Sequence, residues 1–162
     1  MKRLWLLRHA SAENDAPDSR RRLSERGEEE ARRVADRWAD TQHTPDLVLS
    51  SPARRARATA EIATASLAPA PPRQLDESLY LASPDAILRA IGTVAPSCAG
   101  LLVVGHNPGL ADLASDLGGG AAAHELRSLG FPPAALATFE LDVDDWTEVD
   151  ATFAEMVAIR VP

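Results

Sequence analysis

Residues 100–109 read Gly-Leu-Leu-Val-Val-Gly-His-Asn-Pro-Gly, an apolar run that ends in polar residues and a proline. A short, uninterrupted apolar run is typical of a strand that is buried on both faces. Pro108 after Asn107 is typical of the first turn of a helix. We therefore predict a buried strand over Gly100–Gly105 with a helix directly after it.

Two earlier segments repeat this step from an apolar run to polar residues. Lys2–Leu7 leads into Arg8 and His9, and Asp46–Ser50 leads into Ser51-Pro52. Helix-start signals stand at Ser24, Ser51-Pro52, Ser83-Pro84 and Asn107-Pro108. We expect the second of these helices to run to about Leu67 and the fourth to end at Gly118.

The rest of the chain adds strands and one predicted loop. A short strand is expected near Gln74–Leu75, and the β-rich segments Ala135–Leu141 and Ala151–Val161 are expected to pair as a hairpin. Gly118–Ala123 is interpreted as a small loop. The alternation of strands and helices predicts an α/β fold, with a mainly parallel sheet, helices on both faces and an antiparallel edge strand. No internal repeat or long linker interrupts residues 1–162, so we predict a single domain.

Length and composition exclude several classes of protein. The 162 residues are 45% apolar and 25% charged, which is typical of a globular chain and not of a disordered one. The single cysteine excludes an intrachain disulfide and a cysteine-rich zinc site. The apolar runs are shorter than the roughly 18 residues that cross a bilayer, and the N-terminus does not resemble a signal peptide. We expect a cytoplasmic protein without membrane attachment.

Charge is unevenly distributed along the chain. The formal net charge of −7 argues against nucleic-acid binding, which needs a basic surface. Residues 1–61 nevertheless hold 13 Lys and Arg against 11 Asp and Glu, whereas residues 62–162 hold 4 against 13. The arginines of the N-terminal part are therefore available for a local anion site.

The polar clusters after the three apolar runs are the candidate functional residues. In open α/β sheets the ligand crevice lies outside the carboxyl ends of the strands, so these clusters should meet there. Two of them also begin helices, whose free N–H groups favour anions. Arginines and histidines without accompanying carboxylates suit a dianion such as phosphate, and they suit a metal ion poorly. Taken singly, each residue has an ordinary explanation as a cap, a core histidine or a surface arginine, but their joint occurrence favours a phosphate site.

Four motifs then resemble those of the histidine phosphatase superfamily. They are Leu6-Leu7-Arg8-His9-Ala10, Leu23-Ser24-Glu25-Arg26-Gly27, Ser51-Pro52-Ala53-Arg54-Arg55-Ala56 with Thr59, and Val104-Gly105-His106-Asn107-Pro108-Gly109. The short chain and the last motif resemble the SixA-type phosphohistidine phosphatases. The resemblance implies a phosphoglycerate-mutase-like fold and a phosphatase that needs no metal or other cofactor. One departure stands in a late loop, Phe131-Pro132-Pro133, where the family often has a threonine third.

The resemblance also implies a role for individual residues. His9 would attack phosphorus through one ring nitrogen while the other is held as a donor. Arg8, Arg55 and His106 would hold the phosphoryl oxygens. Arg55 is preferred to Arg54 because Arg55 precedes Ala56, as in the family motif.

The remaining roles are less determined by the sequence. Ser51 and Asn107 are expected to cap their helices and to orient the loops that bind substrate. The general acid is open between Glu77, which follows the short Gln74–Leu75 strand, and Asp18, in the long loop after His9. A third alternative needs no protein acid, because a protonated imidazole leaves well without one.

Three functions fit these residues. The leading hypothesis is a phosphatase for protein phosphohistidine, because residues 74–83 are too few to cover the crevice and a side chain on a partner could enter it. The alternatives are a small-molecule phosphomonoesterase and a phosphate-binding module without catalysis. The last is disfavoured because binding alone requires no nucleophile. We expect the partner to be a phosphorylated protein side chain or a small phosphoester, and the chain to be a monomer.

Overall fold

Six strands form one sheet in this computed structural model, which describes residues 1–150, 152 and 154–162. The strands are β1 (Lys2–Arg8), β2 (Leu47–Ser50), β3 (Arg73–Leu75), β4 (Gly100–Gly105), β5 (Leu136–Leu141) and β6 (Ala154–Arg160). Their order across the sheet is β3-β2-β4-β1-β5-β6. Strand β4 therefore lies between β1 and β2. The three strands are apolar over residues 4–7, 47–49 and 100–105 because the sheet is covered on both sides.

Strand direction confirms the predicted mainly parallel sheet. β1 pairs in parallel with β4, and β2 pairs in parallel with both β4 and β3. β5 runs antiparallel to β1, and β6 runs antiparallel to β5. The predicted closing hairpin is present, although residues 151 and 153 of its second segment lie outside the described residues.

Five helices cover the two faces of the sheet. They are α1 (Glu25–Arg37), α2 (Arg54–Ala63), α3 (Pro84–Ile91), α4 (Gly109–Gly118) and α5 (Gly120–Leu129). Alternate residues of β1 belong to two separate apolar cores: Leu4 and Leu6 pack with α3, α4 and α5, whereas Trp5 and Leu7 pack with α1 and α2. Because successive side chains of a strand point to opposite faces of the sheet, α1 and α2 lie on one face, and α3, α4 and α5 lie on the other. Among the described residues, no helix has the length and apolar character needed to span a membrane.

Two helix predictions were wrong. Gly118–Ala123, predicted as a loop, is the junction of two helices. Gly119 and Gly120, with φ of 55° and 40°, turn the backbone there, and α5 begins at Gly120. The alanines that follow favour the helix once the turn is made. The helix expected from Ser51-Pro52 to about Leu67 begins at Arg54 and ends at Ala63, and its N-cap is Ala53 rather than Ser51. The Ser51 hydroxyl is engaged elsewhere, as described below.

Helix α4 begins in close contact with another part of the backbone. A Cβ atom on Gly109 would lie 1.9 Å from the carbonyl oxygen of Ala82, which precedes α3. Only glycine allows this approach, because the obstacle is backbone and cannot rotate away. Gly109 therefore fixes the loop that carries His106 against the segment before α3.

We expect Gly109→Ala to lower the free energy of unfolding by about 1–3 kcal/mol or more, as overpacking of a closely packed site does. Gly92→Ala is the matched control, since a Cβ there meets its nearest neighbours at 3.5–3.6 Å and the backbone is already right-handed helical. Chemical denaturation of both variants measures the difference. Equal stability of the two would contradict the close contact.

Candidate active site

The carboxyl edge of β1, β2 and β4 brings the predicted residues together. The register pairs Arg8 with Gly105, and the His9 amide donates to the Gly105 carbonyl at 3.0 Å. The Ser51 amide donates to the Val104 carbonyl at 3.0 Å, so the three strand ends are tied at one level. The ring centroids of His9 and His106 consequently lie 5.2 Å apart.

His9 is held with one ring nitrogen protonated and the other bearing a lone pair. Its Nδ1 lies 2.8 Å from the Ala10 carbonyl oxygen, which can only accept, so Nδ1 carries the proton. Its Nε2 accepts from Arg55 Nε at 3.2 Å. Burial, opposed in part by the Ala10 carbonyl and reinforced by nearby arginines, lowers the pKa of His9 to about 4. The imidazole is therefore neutral at neutral pH, with Nε2 available as a nucleophile.

His106 is held in the opposite tautomer. Arg55 Nη2 donates to its Nδ1 at 3.2 Å, so the proton lies on Nε2, which donates to Ser51 Oγ at 2.7 Å. Burial, followed by the His9 ring and the Arg55 charge, lowers the pKa of His106 to about 3. Ser51 thus orients His106 instead of capping α2, which corrects the sequence prediction.

The guanidinium of Arg55 joins the two histidines. It is only 2% exposed, and besides the histidines it reaches the loop after His9. Arg55 Nη1 donates to the Asp18 carbonyl at 2.6 Å, and Nη2 donates to Asp18 Oδ2 at 3.1 Å. The neighbouring Arg54 is exposed. One helical turn on, Thr59 accepts from the Ala10 amide at 3.0 Å and donates to the Arg55 carbonyl at 2.7 Å, which ties α2 to the His9 loop.

Asp18 and Tyr80 form a bridge over Arg55. The Tyr80 hydroxyl donates to Asp18 Oδ2, and the Tyr80 ring meets the His106 ring edge-on, with centroids 5.6 Å apart. The hydrogen bond from Tyr80, followed by that from Arg55, holds the pKa of Asp18 below its usual value. Sequence reasoning did not identify Tyr80. The only available signal was its place at the end of the Glu77–Leu79 turn, within the segment considered too short to cover the crevice.

Arg8 approaches from β1 and shares an acceptor with Asn107. Arg8 Nη1 and Asn107 Nδ2 donate to the Phe131 carbonyl, at 3.2 and 2.9 Å. Phe131 has φ of 44°, an uncommon conformation for a non-glycine residue that aims its carbonyl at these donors. Asn107 does not cap α4, whose N-cap is Pro108, so this expectation was also wrong.

Two buried polar atoms beside this carbonyl, Arg8 Nε and Asn107 Oδ1, find no partner in the part of the chain that the structure describes. Burial also lowers the pKa of Arg8, and Glu30 opposes that shift. An unpaired guanidinium N–H in a buried position costs free energy unless a ligand supplies an acceptor. Arg8 therefore retains a donor for an anion.

The Leu23-Ser24-Glu25-Arg26-Gly27 motif fixes the loop after His9. Ser24 caps α1 by accepting from the Gly27 amide at 3.1 Å, and the Ser24 amide donates to the Ser11 carbonyl at 3.0 Å. Gly27 lies so close to that carbonyl that a Cβ would be 1.9 Å from its oxygen. Buried Glu30 accepts from the Ser11 amide and hydroxyl, at 2.9 and 3.0 Å. The motif thus anchors the backbone two residues after His9.

Glu77 lies apart from these contacts. It is exposed at the start of the Glu77–Leu79 turn, and within the described residues it makes no hydrogen bond or ion pair to Arg55 or to either histidine. Asp18 is the carboxylate that touches the site. Across the described residues, no group of three His, Cys, Asp or Glu side chains is arranged to hold a metal ion.

Comparison with known proteins agrees with this geometry. A model of the histidine phosphatase superfamily (branch 1) matches residues 4–80. Rv1276c, an uncharacterized protein of Mycobacterium tuberculosis, is 35% identical over 163 residues, which cover 96% of this chain and 99% of the relative.

Two solved structures resemble the chain over almost its whole length. SixA of Nakamurella multipartitia, a proposed phosphohistidine phosphatase, matches with a TM-score of 0.87 at 25% identity over 99% of this chain and 96% of that one. SixA of Agrobacterium tumefaciens, also a proposed phosphohistidine phosphatase, matches with a TM-score of 0.83 at 29% identity over 99% of both chains. The chain therefore belongs to the histidine phosphatase superfamily and is of the SixA type.

Proposed function

We propose that this protein is a metal-independent phosphatase that works through a phosphohistidine intermediate on His9 and acts on protein phosphohistidine. The observation that carries the proposal is the state of His9: a buried, neutral imidazole whose Nδ1 proton is committed to the Ala10 carbonyl, at 2.8 Å. Its Nε2 lone pair faces Arg55 Nε at 3.2 Å, and the centroid of the His106 ring lies 5.2 Å from that of His9. A group that only bound phosphate would gain more from a protonated histidine.

In the first step, His9 Nε2 forms a bond to phosphorus as the bond from phosphorus to the leaving group breaks. The leaving group departs with the electron pair: an alkoxide takes a proton from a general acid, whereas an imidazole that is already protonated on its other nitrogen leaves as the neutral ring. In the second step, a water oxygen attacks the phosphohistidine, the N–P bond breaks and its electrons return to Nε2. The product leaves as H2PO4−, which carries both protons of the water, and neutral His9 is restored.

Charge on the transferred phosphoryl group spreads over its three oxygens, where Arg8, Arg55 and His106 supply donors. Arg55 Nε, which donates to His9 Nε2 at 3.2 Å in the free protein, exchanges this bond for one to an oxygen as the nucleophile attacks. A bound dianion offsets the arginine charges that lower the pKa of His106, so we expect His106 to take up a proton and donate from Nδ1.

The leaving group distinguishes the two enzyme hypotheses. An alkoxide needs a proton as it departs, whereas an imidazole that is already protonated does not. Asp18 is the carboxylate nearest the reaction, and its lowered pKa makes it a poor acid. Glu77, the other candidate acid, is exposed. This arrangement favours phosphohistidine over alkyl phosphates as the substrate, while Glu77 stays the predicted acid for any alkyl phosphate that is turned over.

We expect His9→Ala to reduce turnover of both a phosphohistidine peptide and an alkyl phosphate to background, because no covalent route remains. Glu77→Gln should slow the alkyl phosphate by about 10²–10⁴-fold and spare phosphohistidine, since general acid catalysis is worth that much. The measurement is kcat/KM for both substrates in both variants. Equal loss on both substrates in Glu77→Gln would reject the leaving-group role, and no loss would favour Asp18 or no acid.

Activity should persist in excess EDTA. The donors that neutralise the phosphoryl charge are arginines and histidines, and the arginines repel a cation at the same place. Turnover of a phosphohistidine peptide with EDTA, and then with added Mg²⁺, tests this expectation. A loss with EDTA that Mg²⁺ restores would refute the metal-independent mechanism.

An oxyanion at Arg55 shares the guanidinium with the Asp18 carboxylate, which accepts from Nη2 at 3.1 Å and repels a second negative charge there. We therefore expect Asp18→Asn to tighten binding of inorganic sulfate by about two- to fivefold. This change in affinity corresponds to the free energy that a half-exposed ion pair contributes. Asp15→Asn is the matched control, because Asp15 lies in the same loop but pairs with Arg22 at 2.9 Å. Isothermal calorimetry gives the affinities. Weaker sulfate binding in Asp18→Asn would mean that Asp18 orients Arg55 rather than competing with the anion.

A further inference from the structure

Helix α2 carries arginines in two directions. Arg55 points into the active site, where it bonds both histidines. Arg54 and Arg57 are three residues apart and so share a face of the helix. Because an α-helix rotates by about 100° per residue, Arg55 points in a different direction from both. Both are exposed. Helix α2 therefore places Arg55 in the active site and Arg54 and Arg57 on the outer surface.

These two arginines line a surface cavity of about 460 Å³ together with Arg73 of β3. Across the residues that the structure describes, six arginine side chains make neither a hydrogen bond nor an ion pair: Arg20, Arg54, Arg57, Arg73, Arg89 and Arg127. Half of them thus surround one cavity. Glu61 is the one acidic residue in its lining, and it pairs with none of the three arginines.

The cavity lies beside the active site. Ser50, at the end of β2, is part of its lining and directly precedes Ser51, whose hydroxyl bonds His106 at 2.7 Å. Arg54 directly precedes Arg55. Consecutive Cα atoms are about 3.8 Å apart, and an extended chain advances about 3.3 Å per residue. A peptide segment a few residues long would therefore reach from a side chain at His9 to these arginines.

The charge of the cavity is opposite to that of the molecule. Three arginines against Glu61 make its lining positive, while the whole chain carries a formal charge of −7. Unpaired arginines this close repel one another, and an anionic ligand removes that repulsion. Leu75, which is 54% exposed, adds an apolar contact at the edge of the same cavity. The acidic remainder of the surface disfavours a long polyanion such as nucleic acid.

We propose that Arg54, Arg57 and Arg73 bind an acidic segment that flanks the phosphorylated residue of a partner protein. Arginine suits this ligand because its planar guanidinium holds a carboxylate through two parallel hydrogen bonds. The flanking segment supplies affinity while Arg8, Arg55 and His106 hold the phosphoryl group. The proposal rests on the proposed function for the identity of the phosphorylated residue, whereas the binding of an acidic segment does not depend on catalysis.

Binding is tested with two unphosphorylated peptides, each with one central histidine. The first has glutamates at the third to fifth positions on either side, and the second has glutamines there. Fluorescence anisotropy should show that wild-type protein binds the glutamate peptide roughly five- to tenfold more tightly, with the preference lost at high salt. The ratio of the affinities for the glutamate and glutamine peptides should fall to about one in the Arg54→Gln/Arg57→Gln double variant. The same ratio should decrease in Arg73→Gln.

The matched control is the Arg89→Gln/Arg127→Gln double variant. It removes two exposed, unpaired arginines from α3 and α5, which do not line the cavity. Wild-type preference in this control, together with its loss in the α2 variant, would support the proposal. No preference in wild-type protein, or equal loss in both double variants, would overturn it. A single-stranded oligonucleotide is a further probe. If wild-type protein binds it as tightly as the glutamate peptide, and the α2 substitutions abolish that binding, the proposal is overturned and the cavity is assigned to nucleic acid.

Turnover separates this proposal from the proposed function. With phosphohistidine versions of the two peptides, the α2 double variant should raise KM for the glutamate peptide and leave kcat, and turnover of the glutamine peptide, unchanged. If wild-type protein hydrolyses neither peptide but still prefers the glutamate peptide in binding, the substrate assignment fails and the acidic docking site stands. Hydrolysis of both peptides with the same kcat/KM would retain the proposed function and reject the docking site.

Discussion

The buried guanidinium of Arg55 is the group on which the site depends. It reaches four partners at once: the lone pairs of two histidines, and the carbonyl and the carboxylate of Asp18. A charge that is 2% exposed is costly unless its N–H groups are paired, and the five N–H groups of Arg55 have four acceptors here. Its neighbours must therefore present acceptors. Each histidine consequently turns a bare nitrogen toward Arg55, and each must place its proton elsewhere. The two tautomers, the Ala10 carbonyl contact and the Ser51 hydroxyl contact all follow from this requirement.

Both histidines of the site are neutral. Burial, together with the positive charge of nearby arginines, lowers their pKa values. Arg8 and Arg55 both disfavour an imidazolium at His9 and at His106. The free site therefore holds its positive charge on groups that cannot be deprotonated, while His9 keeps a lone pair on Nε2. A doubly charged ligand offsets the arginine charges, so we expect His106 to take up a proton on its arrival while His9 keeps its lone pair.

Much of this arrangement could be predicted from the sequence, and the remainder could not for identifiable reasons. Apolar runs and helix-start signals located β1, β2 and β4, and the geometry of parallel sheets then required His9, Arg55 and His106 to lie at one edge. Ser51 looked like a cap because serine before proline usually is one; its bond to His106 depends on a contact 55 residues away. The Asp18–Tyr80 bridge likewise joins two loops that are 62 residues apart. Periodicity carries no information about such pairs, and short polar loops offer no other signal.

The position of β4 in the sheet has a consequence for how the molecule is made. β4 is fourth along the chain, yet it lies between β1 and β2, so those two strands do not pair with each other directly. Arg8 meets Gly105 only after nearly a hundred intervening residues have been synthesised. Contacts of this sequence separation form late and slowly, because loop closure costs entropy before any pairing repays it. A nascent chain that ends before β4 thus has no strand to lie between β1, which leads into His9, and β2, which leads into α2 and Arg55. His9 acquires its surroundings only when β4 inserts between these two strands.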